Sequence, residues 1–392
     1  PVDIINSIFE SLDGGCLLTD YCSEPEKIQT MDSVEKILSL SNIKTKIFPA
    51  VNTILDIEEV IKKINYTDPK SMKDIDKIFK NNLDQDPDGY LVGESLPPPK
   101  HISTDNKMMN SLVNNNQLSR NYLEVKDLEI KLSENNSKSR TNMTYFSGGE
   151  DEALNRLRRK VSDFPNFVNE FSKPNTVSTN ERENPREPST TGLSPYISIG
   201  CLSVRLLWNE CKKANFNSEH TKPPESLIGQ LMFREMFYLL SRSVDNWDKD
   251  INNSNCKPIN WGGYDASKIK AWESGKTGFP YIDAMMRQLE STGWMHHLGR
   301  HAVSCFLTRG QLWQNWTFGR DIFETKLVDS DWAVNNGNWL WLAGVAPFSM
   351  PYYRIYNPCP DSKSSLNVET KEANFIRPVS YTHLTLPTNR EV

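Results

Sequence analysis

The chain has 392 residues, a formal net charge of −5 and 37% hydrophobic residues. This length suffices for two domains with sizeable cores, and the mildly acidic balance excludes a globally basic nucleic-acid binder while leaving room for a local basic groove. The seven cysteines are dispersed and form no CxxC pair. They argue against a disulfide scaffold or a zinc ribbon and favour a reducing compartment, the nucleus or the cytoplasm. No apolar run approaches membrane-spanning length and the first residues do not resemble a signal peptide, so we expect no membrane association.

Short apolar strands alternate with amphipathic helices in the first part of the chain. Residues 16–19 and 44–48 have the composition of strands, while 33–40 and 57–64 carry apolar residues at helical spacing. This alternation predicts a partial doubly wound α/β piece over residues 1–90. No glycine-rich phosphate loop occurs in it, so a dinucleotide site of the usual kind is not expected there.

The composition changes twice after this piece. Three prolines at 97–99 open a stretch rich in Asn, Ser and Lys, which predicts an interdomain linker over residues 91–148. From residue 149 the pattern becomes helical and rich in aromatic residues, and strand alternation is hard to find. We therefore predict a large all-α domain over residues 149–377.

The most informative stretch of this domain is residues 294–301, which sets three histidines, a tryptophan and an arginine into an apolar segment. The spacing predicts a mostly buried helix. His297 and His301 share one face of it, with Arg300 beside them. Because imidazole titrates near neutral pH, the pair suggests a proton donor or a ligand set. Two hydrogen-bonded core histidines are an equally good reading of these residues alone.

Two further segments contain candidate binding residues. Residues 189–196 place hydroxyl side chains around a glycine before a helix start. They offer donors to an anion, although a plain N-cap is the simpler reading. In residues 230–237 the amide of Gln230 and the ring of Phe233 lie on one helical face, which core packing would also explain. Arg234 needs a partner if it is buried.

The pair Asp329 and Asp331, followed by Asn335, lies next to a tryptophan-rich segment. Two carboxylates and an amide are suited to coordinating a metal, binding hydroxyl groups or balancing a cation. A metalloenzyme that uses His297, His301 and Asp329 is the weakest of these readings, because the sequence lacks an HExxH motif and a cysteine ligand cluster. We expect no metal.

Taken together and in this order, the segments resemble the FAD domain of the photolyase/cryptochrome family. The matching stretches are TGLSPY at 191–196, GQLMFRE at 229–235, GKTGFPYID at 275–283, GWMHHLGRH at 293–301 and DSDWAVNNGNW at 329–339. The first 80 residues resemble only the second part of the family's antenna-binding α/β domain, so we expect that the start of that domain is missing. The resemblance ends before residues 378–392, which we interpret as a non-native tail.

The resemblance implies non-covalently bound FAD and, in the intact protein, a second antenna chromophore such as a folate or a deazaflavin. The residues that match the family's FAD contacts are Thr191, Gly192, Leu193, Ser194, Gln230, His297, Arg300, Asp329, Asp331 and Asn335. Among them, Arg300 matches the arginine that pairs with Asp329, and Asn335 matches the residue that faces flavin N5. Because the family's closing helices are not recognisable, we expect this chain to hold FAD weakly.

The resemblance also assigns electron-transfer and DNA-contacting residues. Trp339 and Trp316 match the family's electron-transfer tryptophans, and Trp261 matches the outermost one. Phe233 stands where photolyases commonly place a tryptophan against the extruded lesion. The expected DNA or lesion contacts are Phe233, Trp341 and Lys173, with Arg309 and Arg354 as candidates at the docking surface.

The histidines indicate the branch, because His296 and His297 followed by His301 resemble (6-4) photolyases and animal cryptochromes. Reversal of a (6-4) photoproduct requires a proton and an oxygen transfer besides an electron, so His297 or His301 would serve as the acid. The resemblance thus implies blue-light repair of UV-damaged DNA by a monomeric (6-4) photolyase. The alternative is a cryptochrome that binds FAD without repair and acts on clock or signalling proteins. Asn335 and the histidines favour repair, whereas Phe233 leans slightly towards the alternative.

Overall fold

The structure is a computed structural model that describes residues 15–48, 52–83, 146–172 and 190–359, with isolated positions outside these ranges. The chain divides into two compact units, and the described residues before Asn52 form the first while those from Asn52 onward form the second. Most of the predicted linker, residue Lys173 and the predicted tail over 378–392 lie outside the described residues.

The first unit is a βαβ arrangement. Strand β1 (Cys16–Asp20) pairs in parallel with β2 (Lys44–Phe48), and helix α1 (Pro25–Leu40) connects them. A parallel pair needs such a crossover, and a proline at the start of α1 fixes φ where no amide donor is required. Apolar residues of α1, including Val34 and Leu38, form a small separate core. The predicted α/β piece is therefore present here.

The next two helices belong to the second unit. Helix α2 (Ile57–Ile61) begins after Asp56 and α3 (Met72–Asn82) after Ser71, and each capping side chain accepts a backbone N–H bond. The apolar residues on their inner faces are part of the large helical core. The prediction grouped residues 1–90 as one piece, whereas the compact units divide at residue 52. An amphipathic helix is stabilised mainly by burying its apolar face, and the helical core offers that surface.

The second unit is otherwise helical where the structure describes it, apart from a short hairpin of β3 (Gln85–Asp86) and β4 (Gly89–Tyr90). Its remaining helices are α4 (Glu150–Leu157), α5 (Pro165–Glu170), α6 (Ser194–Ser198), α7 (Val204–Asn215), α8 (Leu227–Ser243), α9 (Ala266–Glu273), α10 (Pro280–Thr292), α11 (His297–Cys305), α12 (Trp316–Lys326) and α13 (Trp332–Ala343). Two π-helical turns, Arg158–Ser162 and Phe306–Gly310, extend α4 and α11. The predicted helical class of this domain is confirmed where the structure describes it, while its bounds at residues 149 and 377 stay a prediction.

Small residues bring the site-bearing helices close together. Gly337 of α13 lies against the ring of Phe237 on α8, where any Cβ would overlap that ring. Gly319 of α12 lies in the same way against the indole of Trp339. Large aromatic residues complete this core, since Trp316 and Trp339 are buried. No helix within the described ranges is long and apolar enough to cross a membrane.

Candidate functional site

A cavity of about 340 Å³ opens in the helical unit, within the range of roughly 300–1,000 Å³ typical of small-molecule pockets. Helices α6, α8, α11 and α13 contribute most of its wall. The sequence-predicted residues that line it are Thr191, Leu193, Ser194, Gln230, Phe233, His297, Arg300, His301, Asp329, Asp331, Asn335 and Trp339. Residues more than 100 positions apart in the sequence thus meet around one space.

The turn that precedes α6 is held by an arginine that the sequence analysis missed. Arg156 is buried and its Nε donates a hydrogen bond to the carbonyl of Thr191 at 3.0 Å. Gly192 has a φ of +59°, and a Cβ there would come within 2.6 Å of the Arg156 guanidinium. Gly192 therefore shapes the turn from behind instead of lining the cavity. Arg156 belongs to the ordinary amphipathic pattern of α4, so no sequence motif marked it as a residue of the site.

An ion pair joins α11 to the loop before α13. Arg300 Nη2 donates to Asp329 Oδ1 at 3.1 Å and to Oδ2 at 2.9 Å, while its Nε donates to the carbonyl of Met295 at 2.7 Å. Ser194 Oγ donates to Asp329 Oδ2 at 2.7 Å. Because the Asp329 side chain is only 4% exposed, these charge-assisted bonds compensate its desolvation and connect three segments of the cavity wall.

Asp331 has partners on α8. Its Oδ1 caps α13 by accepting the Val334 N–H bond at 3.1 Å, and its Oδ2 accepts from the Tyr238 hydroxyl at 2.7 Å and from Arg234 Nη2 at 3.4 Å. Burial, together with the Asp331 carboxylate, raises the pKa of Tyr238, so the phenol remains a donor. Arg234 therefore has the partner that its burial requires. Tyr238 was missed, although it lies one helical turn after Arg234.

The two predicted amide side chains of the cavity wall, Gln230 and Asn335, each donate to a main-chain carbonyl. Gln230 Nε2 donates to the carbonyl of Pro224 at 2.9 Å. Asn335 Nδ2 donates to the carbonyl of Arg320 at 3.1 Å and to Glu324 Oε2 at 2.7 Å. Both amides are thus fixed in orientation while they line the cavity. Glu324 carried no motif that would have marked it in the sequence.

His296 has a structural role. It is fully buried, and its Nδ1 accepts the Gly299 N–H bond at 3.2 Å, which caps α11. Burial, with smaller contributions from His297 and Arg300, lowers the pKa of His296 to about 3. A histidine that is neutral over the physiological range and already bonded at the start of a helix is not suited to donating a proton to a ligand.

His297 and His301 both line the cavity and their ring centroids are 4.2 Å apart. His301 is 5% exposed, and its Nδ1 lies 2.8 Å from the hydroxyl of Tyr356. Burial raises the pKa of Tyr356 to about 12, so this hydroxyl stays protonated. Trp341 does not line the cavity but meets His301 edge-on at a centroid distance of 4.9 Å. His301 is therefore a hydrogen-bonded, nearly buried histidine, and both rings line the cavity. Their role as a proton donor or a ligand set stays a prediction.

Two of the predicted electron-transfer tryptophans contact tryptophans that were not predicted. Trp339 lines the cavity and lies edge-on to Trp272 at 6.3 Å. Trp316 is fully buried outside the lining. Trp261 is half-buried and contacts Trp313 at 5.3 Å, and Trp313 is 46% exposed. Trp272 and Trp313 were not predicted, because only the three-dimensional contacts set them apart from other core or surface tryptophans.

The candidate docking residues differ in their surroundings. Arg309 donates to the carbonyls of Leu342 and Tyr352 at 2.9 and 2.7 Å. Its guanidinium therefore connects two main-chain segments, and these bonds compete with binding to a DNA phosphate. Arg354 is exposed. Among the described residues, no group of three or more His, Cys, Asp or Glu side chains could hold a metal ion.

The fold and the cavity define a helical cofactor-binding domain with a hydrogen-bonded carboxylate at one part of its wall and histidines and indoles at another. Residues 227–377 match the family model described as the FAD binding domain of DNA photolyase. The chain belongs to the photolyase/cryptochrome family. The relatives agree with the (6-4) photolyase and animal cryptochrome branch that the histidines indicated.

Among the relatives, the (6-4) DNA photolyase of Arabidopsis thaliana is 47% identical over 220 residues, which cover 55% of this chain and 38% of that protein. Cryptochrome-1 of Mus musculus is 34% identical over 372 residues, covering 91% of this chain and 55% of that protein. The chain thus spans about half the length of these relatives or less.

Solved structures support the fold. A Synechocystis cryptochrome superposes with a TM-score of 0.64 at 23% identity, covering 91% of this chain and 68% of that one. A class III photolyase from Agrobacterium tumefaciens gives a TM-score of 0.58 at 21% identity, covering 91% and 72%. The predicted fold class, an α/β piece with a helical FAD domain, is confirmed.

Proposed function

We propose that the protein binds FAD and uses blue light to reverse (6-4) photoproducts in UV-damaged DNA, in the nucleus or the cytoplasm. The observation that carries the proposal is the pair His297 and His301, 4.2 Å apart in the wall of the same cavity as the Arg300–Asp329 ion pair. Cyclobutane dimer reversal needs only an electron, whereas (6-4) reversal also needs an acid, and this pair can supply one.

The residues of the cavity fit FAD by the chemistry of their donors and acceptors. The turn at 191–194 and the Arg300–Asp329 pair form a polar wall suited to phosphate and ribose groups. Asp331, Asn335 and the two histidines offer hydrogen-bonding atoms for a heteroaromatic ring at another part of the cavity. Reduced FAD, when bound there, would supply the light-driven electron. A second antenna chromophore in the intact protein is part of the same proposal.

His297 is the proposed proton donor and His301 its partner. The Tyr356 hydroxyl engages Nδ1 of His301 and so fixes the orientation of its ring, which leaves Nε2 as the atom able to exchange a proton. Phe233, which lines the cavity, would offer an apolar face to an extruded base, and Trp341 supports His301 from behind. Lys173 remains a predicted DNA contact outside the described residues.

A cryptochrome without repair activity is the second candidate. It is favoured by Phe233 at the lesion-facing position and by the 91% of this chain that aligns with Cryptochrome-1. Its partners would be clock or signalling proteins instead of damaged DNA.

Blue-light repair of defined (6-4) and cyclobutane lesions, measured with the purified reduced protein, separates the candidates. Repair of the (6-4) lesion alone supports the proposal. Bound flavin with no repair of either lesion supports the cryptochrome alternative. Repair of cyclobutane dimers alone would show that the histidines do not act as the acid proposed here.

A further inference from the structure

Asn335 is held by two groups that can only accept hydrogen bonds. Its Nδ2 donates to the main-chain carbonyl of Arg320 and to Glu324 Oε2, both on α12. A carbonyl oxygen and a carboxylate oxygen offer no hydrogen to the amide oxygen of Asn335. The amide nitrogen must therefore face α12, and this chemistry fixes the orientation of the side chain.

The consequence for the cavity concerns the other end of the amide. Asn335 is 8% exposed and lines the cavity, and its own backbone N–H is engaged in the first turn of α13 with the carbonyl of Asp331. With Nδ2 turned to α12, the atom presented on the opposite side is Oδ1. A ligand at this part of the cavity therefore meets an acceptor, and a ligand atom that carries a hydrogen is favoured there over one that carries only a lone pair.

We propose that Glu324 is a positioning residue that holds the Asn335 amide with Oδ1 towards the cofactor, and thereby favours the reduced form of bound FAD. The inference rests on the proposed function and on the position facing flavin N5 that the resemblance implies for Asn335. That nitrogen carries only a lone pair in the oxidised ring and carries a hydrogen in the fully reduced ring. Removing the acceptor of Glu324 allows the amide to turn and to offer Nδ2, which would favour the oxidised ring instead.

The test compares Glu324→Leu, which removes the acceptor and the charge, with Glu324→Gln, which removes the charge and keeps an acceptor oxygen. Thr325→Leu, at the exposed neighbouring position of α12, is the matched control. The reduction potential of FAD reconstituted into each protein is measured by spectroelectrochemistry. We expect Glu324→Leu to lose about tenfold in preference for the reduced form, which is about 30 mV downward for a two-electron couple. Glu324→Gln and Thr325→Leu should stay near the wild-type potential.

A second measurement does not require the flavin. In protein with ¹⁵N-labelled asparagine, hydrogen exchange of the Asn335 side-chain amide reports its bonds to α12. We expect exchange to accelerate about tenfold in Glu324→Leu and to remain slow in Glu324→Gln.

The sign of the shift separates hydrogen bonding from charge. If Glu324 acted only through its negative charge, both variants at this position would raise the potential, because an anion nearby disfavours added electrons. A raised or unchanged potential in Glu324→Leu overturns the inference, as does unchanged amide exchange. Failure of every protein, wild type included, to bind FAD would contradict the proposed function and the inference with it.

Discussion

The hydroxyl of Tyr356 lies 2.8 Å from Nδ1 of His301, although 55 residues separate them. The hydroxyl stays protonated because burial raises the pKa of Tyr356 to about 12. This contact fixes the imidazole ring beside His297 and satisfies a polar group that is only 5% exposed. It connects the segment after α13 to the histidines of α11.

Replacing Tyr356 by Phe keeps the ring and removes only this hydroxyl. We expect the free energy of unfolding to fall by about 1–2 kcal/mol, because a buried imidazole nitrogen loses its partner. We also expect the repair rate to fall more than lesion affinity, since the fixed ring and not the lesion contact is lost. Urea unfolding and single-turnover repair measure the two effects. Tyr353→Phe, at a position 73% exposed, is the control and should change neither.

The two cavity histidines can be separated from the rest of the site by truncation. His297→Ala and His301→Ala should each abolish (6-4) repair, because the acid or its partner is removed, while binding of lesion-containing DNA stays measurable. His220→Ala is the control, since His220 contacts the Ser218 carbonyl and Lys222 and does not line the cavity. If the His297→Ala variant still repairs the (6-4) lesion, another group donates the proton.

Much of this site was accessible from sequence because helical spacing decides which side chains share a face. The pairing of His297 with His301 on one face of α11 follows from such a local pattern. Arg156 and Tyr356 were missed for the opposite reason. Their partners are distant in the chain, and neither residue differs locally from any other arginine or tyrosine on a partly buried surface.

The boundary between the two compact units is a second feature that local sequence patterns did not predict. The helical pattern over 57–64 was recognised, but pattern alone does not say which core an amphipathic helix joins. Tertiary packing decides it, and the buried faces of α2 and α3 belong to the helical core.

Trp339 lines the cavity with its indole, and we expect it to pass electrons to bound oxidised FAD. Trp339→Phe keeps an aromatic filler against Trp272 and α12, so FAD content should stay near normal while photoreduction slows severely. Trp272→Phe is the informative comparison, because Trp272 contacts Trp339 at 6.3 Å but was not predicted as a carrier. Transient absorption after a light pulse measures both variants. If Trp272→Phe slows photoreduction instead, the electron path runs through Trp272 and not through Trp316.

His296 should make the fold sensitive to acid. Its pKa is lowered from 6.5 to about 3 in the folded chain, chiefly by burial, and its Nδ1 is occupied as an acceptor from Gly299. Protonation would replace that acceptor by a donor, so the folded state resists it. Between pH 6.5 and 3 the unfolded chain therefore binds a proton that the folded chain does not, and stability falls as the pH falls through this window.

From these two pKa values, this one group removes roughly 2 kcal/mol of stability between pH 7 and pH 5. His296→Asn retains a residue suited to capping α11 and removes the titration. We expect the variant to be less stable at pH 7, because packing of the imidazole is lost, but to lose roughly 2 kcal/mol less than the wild type on going to pH 5. Urea unfolding at the two pH values measures this difference of differences, and His220→Asn should behave as the wild type. An equal loss in His296→Asn and the wild type would mean that His296 is protonated within the folded protein, and its assignment as a neutral cap would be wrong.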